Sequence, residues 1–153
     1  MLRAIEILQK PRLYVLNILE NYTVEQLNEV PAGFNNNIIW NLGHMVAAQQ
    51  GICYVRTGVP ILIEQDFFDA YKPGTKPERF VDADGIKHIK GLMLSTLEQL
   101  EQDYTNQIFK EYTPVVTRYG VELGNIDNAI NFLPFHDGLH IGYIMSIRKV
   151  LTK

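Results

Sequence analysis

Apolar residues recur at steps of three and four through most of this chain, the period of helices that bury one face. In the first stretch, from Leu2 to Asn21, Ile5, Leu8, Val15, Leu16 and Leu19 carry the pattern. Pro11 lies inside it; lacking an N–H and crowding the turn before it, proline predicts a kink or a late helix start. Thr23 and Gln26 have capping-box spacing and predict a short helical turn to Asn28, closed by Pro31 and Gly33. Asn35, Asn36 and Asn37 supply a cap for the second long helix, which is expected from about Asn37 through Arg56, stopping at Gly58.

From Pro60 to Phe80 the punctuation by Pro60, Pro73, Gly74 and Pro77 predicts a long crossover loop, the kind of segment that forms a rim or lid over a site. Asp82 or Asp84 caps a third helix whose stripe is Ile86, Ile89, Met93, Leu97, Leu100 and Tyr104, ending near Asn106. Lys87, His88, Glu98 and Gln102 fall on its polar face, so His88 is read as solvated. Val115 to Thr117 and Val121 to Leu123 suggest a small hairpin. A fourth helix, capped by Asn125, is expected from about Ile126 to Val150, bent at Pro134, with Arg148 and Lys149 suiting its C-terminal dipole.

Four long helices with long connections predict an all-α fold, a four-helix bundle with at least one crossover; a less regular all-α domain is the alternative. With 153 residues, 46% of them hydrophobic, the chain is expected to form a single domain over residues 1–153. A net charge of -3 gives no electrostatic footprint for nucleic acid. Cys53 is the only cysteine, so no internal disulfide can form and a reducing compartment is favoured. Glu6 interrupts the N-terminal apolar stretch, no signal peptide is expected, and no window approaches a membrane span. A soluble, cytoplasmic protein is the resulting expectation.

The fourth helix carries the candidate chemistry. Its stripe of Ile126, Ile130, Leu133, Ile144, Ile147 and Leu151 is interrupted where the register lands on His136 and His140. Four residues apart, both imidazoles point into the bundle from one face, within reach of one ion bound at roughly 2.0–2.1 Å. On the second helix, Asn37, Trp40, His44, Ala47 and Gly51 share a face, which makes His44 a third candidate. Ala47, Ala48 and Gly51, with Gly138 and Gly142 opposite, are read as small residues that let helices approach. The alternative for His44 is a hydrogen-bonded core residue, and for the His136 and His140 pair a structural or solvent-facing role. HDGLH also has the outline of the HExxH metalloprotease helix, but Asp137 stands where the glutamate base belongs and Gly138 follows it, which argues against a protease. Asp137 is turned about 100° from His136 around the helix and is not expected to contact an ion directly.

The run NNIIWNLGHMVAAQQ, with Trp40 four residues before His44, and the run FHDGLHIGYIMSIRK together resemble the DinB-like four-helix bundle superfamily over essentially the whole chain. The resemblance implies that His44, His136 and His140 bind a divalent metal ion, nickel or zinc foremost, and that the protein is a homodimer. Characterised relatives include transferases and isomerases that use low-molecular-weight thiols, and many members are regarded as metal-dependent hydrolases. Many relatives carry glutamine after the glycine that follows the second histidine of the pair; here Tyr143 follows Gly142, either to orient a ligand or to pack in the bundle.

Two functions follow from the residues and the resemblance. One is a metal-dependent enzyme, a hydrolase or thiol-dependent transferase acting on a small molecule or a low-molecular-weight thiol, with its general base unassigned. The other is a non-catalytic, stress-related module that binds a small molecule or thiol and uses the metal structurally.

Overall fold

The computed structural model describes residues 3–151. Its order is α1 (Arg3–Ile18), α2 (Val24–Asn28), α3 (Ile38–Gln49), α4 (Gln65–Tyr71), α5 (Ala83–Thr105), β1 (Val115–Val116), β2 (Glu122–Leu123) and α6 (Ile126–Leu151). The chain is mostly helical, as its periodicity predicts. Among the described residues no helix is long and apolar enough to cross a membrane.

Helix α1 packs on α5 and α6, and α3 packs on the same two. Ile5, Leu8, Val15 and Leu19 of the predicted first stripe are all buried, while Leu2 lies outside the described residues. Pro11 causes no late start, because α1 begins eight residues before it and runs through. The stripe has one unexpected member, Arg12, which is completely buried.

Thr23 forms the predicted capping box with Gln26. Asn37 caps α3 by accepting the Trp40 N–H at 2.8 Å. Every residue of α3 is buried, so this helix has no solvent face. The helical path does not continue as α-helix to Arg56: at Gln50–Tyr54 it widens into a π-helical turn, then tightens into a 3₁₀ turn at Val55–Thr57. Gly58 ends it with a φ of +71°, a left-handed conformation that glycine adopts without strain.

The long connection after Gly58 is not devoid of regular structure. Helix α4 occupies its middle, where Phe67 and Tyr71, one turn apart, bury against α3. Flanking prolines conceal a helix this short from a reading of breakers alone. Asp82 caps α5 by accepting the Gly85 N–H at 2.9 Å. The predicted hairpin is present as an antiparallel β1–β2 pair, with Val115 opposite Leu123. Asn125 accepts the Asn128 N–H at 2.8 Å at the start of α6, and that helix runs on through Pro134.

The expected small-residue contacts are partly elsewhere. An added Cβ at Gly138 or Gly142 would meet nothing within 4 Å, so neither lets a neighbour approach. The close approach is at Gly43, where a Cβ would lie 2.5–2.7 Å from the Tyr71 ring.

Candidate metal centre

Trp40 and His44 are one turn apart on α3, and their rings stack with centroids 4.7 Å apart and planes 10° from parallel. His136 and His140 are one turn apart on α6 at 4.7 Å. His44 lies 5.3 Å from His136 and 4.6 Å from His140, centroid to centroid. One nitrogen from each of the three rings lies within 4.8 Å of the others, so the group could hold a metal ion. A tetrahedral ion needs nitrogens about 3.4 Å apart, so rotations that close the gaps by roughly an ångström suffice.

Two of the rings have defined tautomers. The Tyr71 carbonyl, which can only accept, receives Nδ1–H of His44 at 2.7 Å. Asn41 Oδ1 lies 2.8 Å from Nδ1 of His140, and the Asn41 amide nitrogen donates to Asn36 Oδ1 and the Asn37 carbonyl. That arrangement turns the Asn41 oxygen to the ring as an acceptor. In both histidines Nε2 is left as the lone-pair nitrogen.

Burial lowers His44 to about 4; the Tyr71 bond opposes that, and His136 and Arg118 add to it. Burial lowers His140 to about 3, reinforced by His136 and His44. Both rings are therefore neutral near pH 7, the form that ligates metal. The donor set fits a borderline divalent ion such as zinc or nickel.

Sequence reasoning missed the polar shell behind the rings. Arg12 donates from Nε to Asp137 Oδ2 at 2.7 Å, and both side chains are buried. Its Nη1 donates to Gln49 Oε1 at 3.0 Å and to the Met93 carbonyl at 2.9 Å, so one guanidinium ties α1 to α3, α5 and α6. The available signal was Arg12 itself, a charge in register with Leu8 and Val15 on an apolar stripe. Asn41 had a similar signal as a polar residue in a helix otherwise apolar around it.

Tyr143 packs edge-on against Phe34 with centroids 5.3 Å apart, and its hydroxyl accepts from the Asn35 N–H at 3.5 Å. Of its two expected roles the structure shows packing. His88 is exposed, as expected, 3.5 Å from Glu64. A cleft of about 340 Å³ opens beside Trp40 and Tyr71, with Asp66, Asp69, Thr75 and Arg79 on its wall; His44, His136 and His140 do not line it.

The family model described as the DinB superfamily matches residues 8–144. No curated protein matches the chain.

Proposed function

Because the chain belongs to the DinB superfamily, we propose that it is a metal-dependent enzyme, a hydrolase or thiol-dependent transferase, in which a four-helix bundle holds one divalent ion through His44, His136 and His140. The observation that carries this reading is that one nitrogen of each ring lies within 4.8 Å of the other two. Gathering one buried and two partly buried imidazoles at one point is costly unless something satisfies their inward nitrogens. An ion held by neutral imidazoles keeps open positions, and it supplies Lewis-acid activation of a water or thiol near neutral pH.

The chain's own residues have separable roles. The Tyr71 carbonyl and Asn41 hold Nδ1–H of His44 and His140 and aim Nε2 inward. Trp40 covers one face of His44 and excludes water there. Cys53 is not a candidate nucleophile, since it is fully buried and burial pushes its thiol well above the usual range. The reacting thiol, where the reaction uses one, therefore comes from a small-molecule partner. Nickel or zinc suits the donor set. We extend the reading to residues 1–153 as one cytoplasmic domain that pairs as a homodimer, for which the exposed Phe135 and Leu139 of α6 are the candidate contact.

A structural role for the metal has one observation in its favour, that the histidines do not line the 340 Å³ cleft beside Trp40. Metal removal separates the two. The enzyme reading expects the stripped protein to keep its helical signal, and the zinc- or nickel-loaded protein to turn over esters or consume low-molecular-weight thiols, with loss of turnover in His136→Ala. Unfolding on metal removal, with no turnover by the loaded protein, supports the structural role.

A further inference from the structure

Each ring that offers one nitrogen to an ion needs a partner for the hydrogen on its other nitrogen. His44 has the Tyr71 carbonyl and His140 has Asn41. His136 is the exception, because its Nδ1 is buried and has no hydrogen-bond partner. Facing it at 3.8 Å is Asp137 Oδ1, also buried and also without a partner. Leaving a buried donor and acceptor unpaired costs about 1–3 kcal/mol each, and 3.8 Å is about 1 Å longer than a hydrogen bond. Two unsatisfied atoms this close amount to a contact not yet made.

The other carboxylate oxygen is fixed. Oδ2 accepts from Arg12 Nε at 2.7 Å, and Arg12 is wholly buried and held by Gln49 and the Met93 carbonyl. The carboxylate is thereby hung from a guanidinium that bridges four helices, with Oδ1 turned to the His136 ring. The buried Arg12 guanidinium, 2.7 Å from Oδ2, sets a fixed positive charge beside the Asp137 carboxylate. An ionised acceptor makes a shorter and stronger bond than a neutral one.

We propose that Asp137, aimed by Arg12, is the positioning residue for His136: as the three rings gather around a cation, the His136 ring turns so that Nδ1–H donates to Asp137 Oδ1 and Nε2 faces the ion. This rests on the metal reading above. It assigns each imidazole its own oxygen acceptor, a backbone carbonyl, an amide and a carboxylate. Asp137 is not itself a ligand; it acts through the orientation and basicity of His136.

The test is a zinc titration of histidine-labelled protein followed by ¹⁵N-detected NMR. In the zinc-loaded wild type, His136 is expected to bind through Nε2, with a downfield, slowly exchanging proton on Nδ1. In Asp137→Asn that proton moves upfield and zinc affinity falls about 10–100-fold. Because Asp137→Asn strands a buried guanidinium, Arg12→Met/Asp137→Leu is the companion, removing both charges in favour of apolar packing. That double variant is expected to melt near the wild-type temperature without metal, yet to bind zinc as weakly as Asp137→Asn. Wild-type zinc affinity in the double variant, or His136 bound through Nδ1 in the wild type, overturns the proposal. Should the double variant not fold, the wild-type spectrum decides alone. Failure of the wild type to take up zinc removes the metal reading together with this one, whereas zinc held by all three rings with no Asp137-bonded proton removes this one only.

Discussion

The side-chain oxygen of Asn41 lies 2.8 Å from Nδ1 of His140, joining α3 to α6 across 99 residues of sequence. Asn41 cannot turn freely, because its amide nitrogen is committed to Asn36 and Asn37. Asn41→Ala is therefore expected to free the His140 ring and lower zinc affinity about 10–100-fold. Competition against a colorimetric chelator measures this. Unchanged affinity would mean that the orientation of His140 does not matter to binding.

Protonation of the buried rings gives a pH dependence with a definite sign. His44 and His140 titrate near 6.5 when unfolded and near 4 and 3 when folded, so between those limits the unfolded chain binds more protons. Stability of the metal-free protein is then full above about 6.5 and declines as pH falls toward 4. Urea melts at pH 7, 6 and 5 should show this decline, and His44→Gln/His140→Gln should flatten it. An equal decline in the double variant would place its origin elsewhere.

Arg118 is exposed near the tip of the β1–β2 hairpin, beside Tyr119, whose ring packs on Phe135 with centroids 5.1 Å apart. Its charge disfavours the protonated forms of His44 and His140, and by the same repulsion it disfavours a bound cation. Arg118→Gln is expected to strengthen zinc binding up to about tenfold at low ionic strength, an effect that shrinks as added salt shortens the Debye length. A gain that persists in molar salt would contradict the electrostatic cause.

The glycines separate by sign. Gly43→Ala drives a methyl into the Tyr71 ring and should cost about 1–3 kcal/mol, disturbing the carbonyl that holds His44. Gly142→Ala adds its methyl to open space on a helix and should stabilise by about 0.5–1 kcal/mol. Thermal melts of the two variants test both signs, and a gain at Gly43 would refute the close approach there.

What the sequence disclosed was local. The steps from Leu133 to His136, His140 and Ile144 follow from helical period alone, as does the burial of Ile86, Ile89 and Met93 on α5. Capping at Thr23, Asn37, Asp82 and Asn125 was legible for the same reason, since a cap bonds its own neighbours. Long-range pairing was not. Arg12 and Asp137 are 125 residues apart, and nothing in either neighbourhood names the other. Nor did helical spacing show that Gly43 meets a ring from α4, because α4 itself lay hidden among prolines. Asp137 lies on the buried stripe of α6 with Ile130, Leu133, Ile144 and Ile147, deeper than His136 and His140, which are only partly buried.

The central claim is that His44, His136 and His140 share one cation, and metal content measures it most directly. Untagged wild type and His140→Ala are dialysed against zinc, washed, and assayed for zinc by mass spectrometry. The account predicts one zinc per wild-type chain and at least a tenfold loss in His140→Ala, with helical content retained in both. Equal zinc in the two proteins would contradict it.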